Sequence, residues 1–149
     1  GERRMRNVKF AGIATLAVTL ACLGLLLAPA SAQIKKGKTR PAMTKQLMKG
    51  IMFPNCAALG KTFKAGGPTD DKGWALAAQQ AACMNELSYT LMQDGRCPDK
   101  VWLDAATKAL RGGTVELLAA IEKKDATAAS AAFGAATKAC GACHSKHKK

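Results

Sequence analysis

The chain has 149 residues, of which 48% are hydrophobic and only 5% are aromatic. Its 23 Lys and Arg against 10 Asp and Glu give a formal net charge of +13 at pH 7. The length predicts a single domain, and the scattered basic residues form no nucleic-acid-binding helix, so nucleic acid is not an expected partner. A basic surface favours acidic partners instead, because its field speeds their encounter with the chain.

The first 32 residues have the pattern of a secretory signal peptide. Basic residues precede an apolar stretch at 10–27, and the small-residue sequence Ala30-Ser31-Ala32 follows it. This order is typical of a leader that is cleaved after export. The alternatives are an uncleaved membrane anchor, since the apolar stretch is just long enough to span a bilayer, and lipidation at Cys22. We expect cleavage after residue 32 and a periplasmic location.

The exported part, 33–149, is predicted to be one basic domain with a lead-in. It carries 19 Lys and Arg against 9 Asp and Glu, a formal charge of +10. Residues 33–40 are predicted to be a flexible, solvated segment, and 41–149 are long enough for a single core.

Apolar residues at helical spacings predict the first two helices. The first begins near Pro41, is kinked or interrupted at Pro54 and ends at Ala65-Gly66-Gly67-Pro68. Its apolar positions are Met43, Leu47, Met48, Ile51 and Met52. The second begins at Thr69 and ends near Gln93. Its predicted inner face consists of Trp74, Ala78, Ala81, Asn85, Ser88 and Met92.

Two further helices complete an all-α prediction. The third starts at Pro98-Asp99 and stops near Lys124, with Gly112-Gly113 as a weak point or a place of close packing. Asp125 caps the fourth, which runs to His144. Short connections favour antiparallel neighbours, so the expected fold is an up-down-up-down four-helix bundle. Its fourth helix then ends beside the start of the first.

The fourth helix carries Cys140-Gly141-Ala142-Cys143-His144, the C-x-x-C-H pattern of covalent haem c attachment. Cys140 and Cys143 lie one helical turn apart, as two thioether bonds to one haem require, and His144 is the predicted proximal iron ligand. A thioredoxin-like thiol pair occurs within a βαβ unit, which this helical segment does not resemble. A zinc site would need more ligands than His147 adds to the motif. We expect His147 to face solvent. Haem attachment presupposes an oxidising compartment.

The predicted bundle brings the first helix to the opposite, distal face of the haem. Met48 lies one to two turns after Pro41, and its thioether is the candidate distal iron ligand. The alternative is that Met48 only fills the core, as most methionine stripes do.

Three cysteines lie outside both the leader and the haem motif: Cys56, Cys83 and Cys97. Their odd number leaves at least one thiol unpaired. A Cys56–Cys97 bridge is one alternative, although counting along straight helices puts Cys83 closer to the level of Cys56. The pairing stays open, and a buried free thiol is the expectation for Cys83.

Over residues 33–149 the chain resembles the class II c-type cytochromes, the cytochrome c′ and cytochrome c-556 group. The similar segments are Gln46-Leu47-Met48-Lys49, Pro98-Asp99-Lys100-Val101-Trp102-Leu103-Asp104-Ala105-Ala106, Ala131-Ala132-Phe133-Gly134 and the haem motif. The resemblance implies a four-helix bundle, electron transfer or diatomic-gas binding, and often a homodimer packed through the first two helices. In having a methionine at the distal position, the chain resembles six-coordinate c-556 members, although some five-coordinate members have a methionine there that does not bind the iron.

The resemblance also implies further residues that border the haem: Lys45, Trp102, Phe133 and Lys148. Lys45 stands where many members have a basic partner of a haem propionate. Members commonly place an aromatic residue and an arginine three and four positions after the haem histidine, whereas this chain has His147 and Lys148. Lys148 supplies charge there without the planar fork of arginine.

The predicted function is a periplasmic one-electron carrier and not an enzyme. One covalent haem and a candidate thioether ligand support electron transfer, and the sequence lacks a set of acid–base groups for catalysis. Its redox partners are expected to be acidic proteins, and membrane contact is expected only through an uncleaved leader. The alternative is a five-coordinate cytochrome c′ that binds NO or CO.

Overall fold

A computed structural model describes residues 37–148, so the predicted leader at 1–32 lies outside the described residues. In that range the chain forms four helices and no β-strand, which confirms the all-α prediction. Helix α1 (44–64) comprises Thr44–Leu47, a π-helical stretch at Met48–Met52, and Phe53–Lys64; α2 is Asp71–Thr90; α3 (100–122) comprises Lys100–Asp104, a π-helical stretch at Ala105–Arg111, and Gly112–Glu122; α4 is Ala126–His147. None of these helices is long and apolar enough to cross a membrane.

Helices α2, α3 and α4 each begin at an aspartate whose carboxylate accepts a hydrogen bond from a backbone N–H of the first turn. The pairs are Asp70 with Gly73 at 2.7 Å, Asp99 with Trp102 at 3.0 Å, and Asp125 with Ala128 at 2.9 Å. Such caps satisfy donors that the helix itself leaves unpaired. The predicted cap at Asp125 and the predicted start of α2 are therefore confirmed.

Helix α1 continues through Pro54, but its regular α-helical hydrogen bonding is interrupted at Met48–Met52, just before that proline. The N–H of Phe53 donates to the carbonyl of Met48, the five-residue spacing of a π turn. The hydrogen-bond pattern thus shifts by one residue just before Pro54, which has no N–H to donate. The helix ends after Lys64, as predicted from the glycines that follow it.

The core lies between the four helices. Its completely buried apolar side chains are Leu59, Ala81, Met84, Leu117, Ala129 and Ala136. Met84 and Leu87 of α2 are buried, although the predicted inner face omitted them. Asn85, assigned to that face, is half-buried and donates hydrogen bonds to the Arg111 carbonyl and, over 2.8 Å, to the Thr114 hydroxyl. Helix α2 is thereby tied to α3 by polar as well as apolar contacts.

The segment before α1 is bound to the turn between α2 and α3. Backbone N–H groups of Thr39 and Arg40 each donate to the Asp94 carboxylate over 2.9 Å. Arg96 is completely buried beneath this segment and donates to the Ala42 carbonyl over 3.1 Å. The expected flexible lead-in at 33–40 is therefore held in place at its described end, because a carboxylate distant in sequence accepts its backbone donors.

Candidate functional site

A small pocket of about 50 Å³, partly open to solvent, lies where the beginning of α1, the end of α2, the first half of α3 and the end of α4 meet. Its lining consists of Met48, Met52, Leu91, Trp102, Ala105, Ala106, Leu110, Cys140, Cys143 and His144. The exposed surface of this lining is almost entirely apolar. Apolar walls with a few reactive side chains are typical of sites that bind a small molecule or a cofactor.

Helix α4 supplies the reactive side of the pocket. Cys140, Cys143 and His144 are all half-buried there. Burial, together with the neighbouring Cys140 thiol, raises the pKa of Cys143 to about 11. Burial raises the pKa of Cys140 as well, and the nearby Cys56 thiol adds to this effect. In the haem-free chain both motif cysteines are therefore protonated thiols at neutral pH.

The imidazole of His144 is kept in the form that binds metals. Burial lowers its pKa, and the positive charge of Lys148 lowers it further. Both effects disfavour imidazolium, so the neutral ring, with a free nitrogen lone pair, predominates at neutral pH. Lys148 itself is exposed and does not line the pocket, so it acts on His144 through its charge.

The two π-helical stretches lie beside this pocket. Met48 and Met52 come from the stretch in α1. Residues Ala105, Ala106 and Leu110 come from the stretch in α3. Single π turns inside α-helices are frequent at functional sites, since they re-aim side chains without ending the helix. Met48, the predicted distal ligand, therefore lines the same pocket as His144.

Trp102 also lines the pocket, and its indole N–H donates to the Leu91 carbonyl over 2.9 Å. Sequence reasoning missed Met52, Leu91, Ala105, Ala106 and Leu110 as pocket residues. Helical spacing could have predicted two of them, because Ala106 and Leu110 follow Trp102 at four-residue intervals.

Of the four predicted haem-bordering residues only Trp102 lines the pocket; Lys45, Phe133 and Lys148 do not. Lys45 is exposed and is not part of the pocket lining. The Phe133 ring packs against Phe63, with 5.8 Å between ring centroids. Phe133 precedes Cys140 by two helical turns, which places it roughly 10 Å further along α4. It therefore belongs to the contact between α1 and α4.

His147 does not face solvent, contrary to expectation. It is only 4% exposed, and its ring meets Trp102 edge-on with 5.4 Å between centroids. Its Nε2 lies 3.3 Å from the Asp99 carboxylate. The prediction was wrong because α4 continues to residue 147, which puts His147 one turn beyond Cys143 on the same helix face.

The five described cysteines are all free thiols. Neither bridge considered for Cys56 is formed, and Cys83 is half-buried and not fully buried. The site therefore contains Cys140 and Cys143 as unbridged thiols.

The chemistry of the pocket side chains fits a covalently attached haem. Between residues 37 and 148, no three His, Cys, Asp or Glu side chains gather into a cluster that would hold a bare metal ion. His144 and Met48 carry side chains of the types that could ligate a haem iron, and Cys140 and Cys143 carry thiols of the type that could attach the haem. Comparisons of the chain with protein-family models, curated proteins and solved structures find no match.

Proposed function

We propose that the protein is an exported monohaem cytochrome of the class II c type that carries single electrons. Cys140 and Cys143 would hold the haem through thioether bonds, His144 would be the proximal iron ligand and Met48 the distal one. The observation that carries this proposal is the pocket itself, in which two thiols, a neutral imidazole and a thioether meet between apolar walls. When bound, haem supplies a one-electron iron couple.

The residues around the pocket have definite roles in this proposal. The thiols of Cys140 and Cys143 are held one helical turn apart by α4, which fixes the spacing of the two attachment points. Trp102 and Leu91 supply apolar wall surface, which would lower the local dielectric around a bound haem. The positive field of Lys148 favours neutral His144.

Contacts along the helices support the up-down-up-down topology. The beginning of α1 and the end of α4 share the pocket, whereas Phe63, near the end of α1, packs against Phe133 earlier in α4. Trp102, near the start of α3, donates to Leu91 just beyond α2. Both patterns are those of antiparallel neighbours joined by short connections.

The central test is the absorption spectrum of the exported protein in both redox states, with and without carbon monoxide. We expect one reversible one-electron couple and a sulfur-to-iron charge-transfer band in the oxidised protein. Met48→Ala should remove that band and produce a high-spin protein that binds carbon monoxide. Met43→Ala is the matched control, because Met43 is on the surface of the same helical region and does not line the pocket.

The same experiment decides between electron transfer and gas binding. A high-spin spectrum with carbon monoxide binding in the unmodified protein would favour the five-coordinate gas binder, with Met48 as an apolar screen only. Zinc without haem in the purified protein would contradict both functions. A periplasmic location, acidic redox partners and a homodimer stay predictions from the sequence.

A further inference from the structure

Asp99 links the beginning of α3 to the last turn of α4. One carboxylate oxygen accepts the Trp102 backbone hydrogen bond over 3.0 Å and lies 3.3 Å from Nε2 of His147. The other lies 2.8 Å from Nζ of Lys146. A single carboxylate thus caps one helix at its start, pairs with Lys146 at the end of another and lies close to His147 there.

The link continues into the pocket wall. His147 and Trp102 are 4% and 3% exposed, and their rings meet edge-on. The indole N–H of Trp102 in turn donates to Leu91, and both residues line the pocket. From the last turn of α4, a continuous set of contacts therefore runs through Asp99 and His147 to the wall that faces His144.

The contacts of Asp99 lie at the last turn of α4, which the hydrogen bonds of the helix itself stabilise least. Helix α4 ends at His147, so His144 belongs to its last turn. The last four carbonyls of a helix lack partners within it, and helix ends open more readily than their middles. A ligand on such a turn keeps a fixed position only if contacts outside the helix hold the turn.

We propose that Asp99 and His147 are positioning residues that fix the turn carrying His144 and hold Trp102 against the pocket. The role of His144 itself rests on the proposed function. Asp99 acts through its ion pair with Lys146 and its close approach to Nε2 of His147, and His147 acts through that approach and its ring contact with Trp102.

The first test is hydrogen exchange in the haem-free full chain. Asp99→Asn keeps an oxygen that can cap α3 but loses the charge that Lys146 and His147 face. We expect backbone amides of residues 144–148 to exchange about tenfold faster in this variant, because a charged contact at a helix end is lost. Asp104→Asn is the matched control, since Asp104 pairs with Lys100 and Lys108 within α3 itself.

A second variant guards against misfolding of the first. Lys146→Gln combined with His147→Phe leaves Asp99 and its cap intact and retains an aromatic ring beside Trp102. It should also speed exchange at residues 144–148, while His147→Phe alone should do so less. Exchange rates equal to those of Asp104→Asn in both Asp99→Asn and the double variant would overturn the proposal.

A spectroscopic measurement separates positioning from general stabilisation. In haem-loaded Met48→Ala protein, Asp99→Asn should broaden the iron–imidazole vibrational band of the reduced state, whereas Asp104→Asn should not. An unchanged band would overturn the positioning of His144. If the unmodified protein carries no covalent haem, the proposed function fails, and the exchange rates of the haem-free chain still decide whether Asp99 and His147 fasten the turn.

Discussion

The close approach of α3 and α4 at Gly113 makes a quantitative prediction about how the haem-motif helix is seated. A Cβ added to Gly113 would lie 2.8 Å from the Cβ and 2.9 Å from the Cα of Ala136. A Cβ added to Gly112 would meet no heavy atom within 4 Å. Gly113→Ala must therefore push α4 away from α3, whereas Gly112→Ala need not move anything.

The two substitutions share the same helix-propensity gain and differ in packing. Replacing glycine by alanine inside a helix stabilises by about 1 kcal/mol. Overpacking a close contact costs about 1–3 kcal/mol, and here the contact includes backbone atoms that have little freedom to move. We expect Gly112→Ala to raise the free energy of unfolding by about 1 kcal/mol. Gly113→Ala should be less stable than Gly112→Ala by about 1–3 kcal/mol.

Thermal unfolding followed by far-ultraviolet circular dichroism measures this difference. For a domain of this size, 1 kcal/mol corresponds to about 4 °C in Tm, so the Tm values of the two variants should differ by about 4–12 °C. Ala136→Gly in the Gly113→Ala background should recover part of the loss, because it removes the nearest side-chain atom. Equal Tm values for Gly112→Ala and Gly113→Ala would refute the close packing of α3 on α4.

Three further predictions concern the site and its surroundings. Phe133→Ala should lower the free energy of unfolding by about 1–3 kcal/mol, less than for a fully buried phenylalanine because Phe133 is half-buried. The absorption bands of the loaded protein should not change, because Phe133 packs against Phe63 outside the pocket; displaced bands would contradict that placement. Lys148→Gln should raise the pKa of His144 in the haem-free chain, as followed by NMR titration, whereas Lys138→Gln on exposed α4 surface should not; equal shifts would rule out a specific effect of Lys148. The Lys146 ammonium and the Trp102 N–H lower the pKa of Asp99 from 3.8 to about 2. The stabilisation that goes with this shift is complete above pH 4 and disappears as pH falls towards 2, so denaturant unfolding should show the wild type and Asp99→Asn converging in that window. A stability difference that stays constant down to pH 2 would argue against the pairing.

Helix positions and ends were predictable where their causes are local. An aspartate at the start of an apolar periodic segment caps its own first turn, as Asp70, Asp99 and Asp125 do. The end of α1 follows from Gly66 and Gly67, whose φ angles of +99° and +101° are left-handed. Such signals involve residues only a few positions apart, so the sequence displays them directly.

Features set by distant contacts could not be predicted in this way. The two π-helical stretches change the azimuth of the residues after them, and a reading based on uniform α-helical spacing does not reveal that change. The hydrogen bonds of Thr39 and Arg40 to Asp94 join residues more than fifty positions apart. The completely buried Arg96 donates to the Ala42 carbonyl across a similar distance in sequence.

The candidate site was predictable to the extent that motif spacing and helix direction define it. Cys140, Cys143, His144, Met48 and Trp102 were all predicted at the haem and all line one pocket. The burial of His147 was missed, because the lysines around it suggested a solvated tail. Asp99 was recognised only as part of a helix start, because its contact with His147 joins residues that are far apart in the sequence.

Covalent attachment of haem is the central claim, and acidic, denaturing extraction tests it most directly. The full chain should be produced in cells competent in cytochrome c maturation and compared with a Cys140→Ala/Cys143→Ala variant of the same chain. We predict that haem stays on the extracted wild-type polypeptide and that the variant releases any haem it holds. A colourless wild-type polypeptide, with the haem recovered in the extract or absent altogether, would contradict the account.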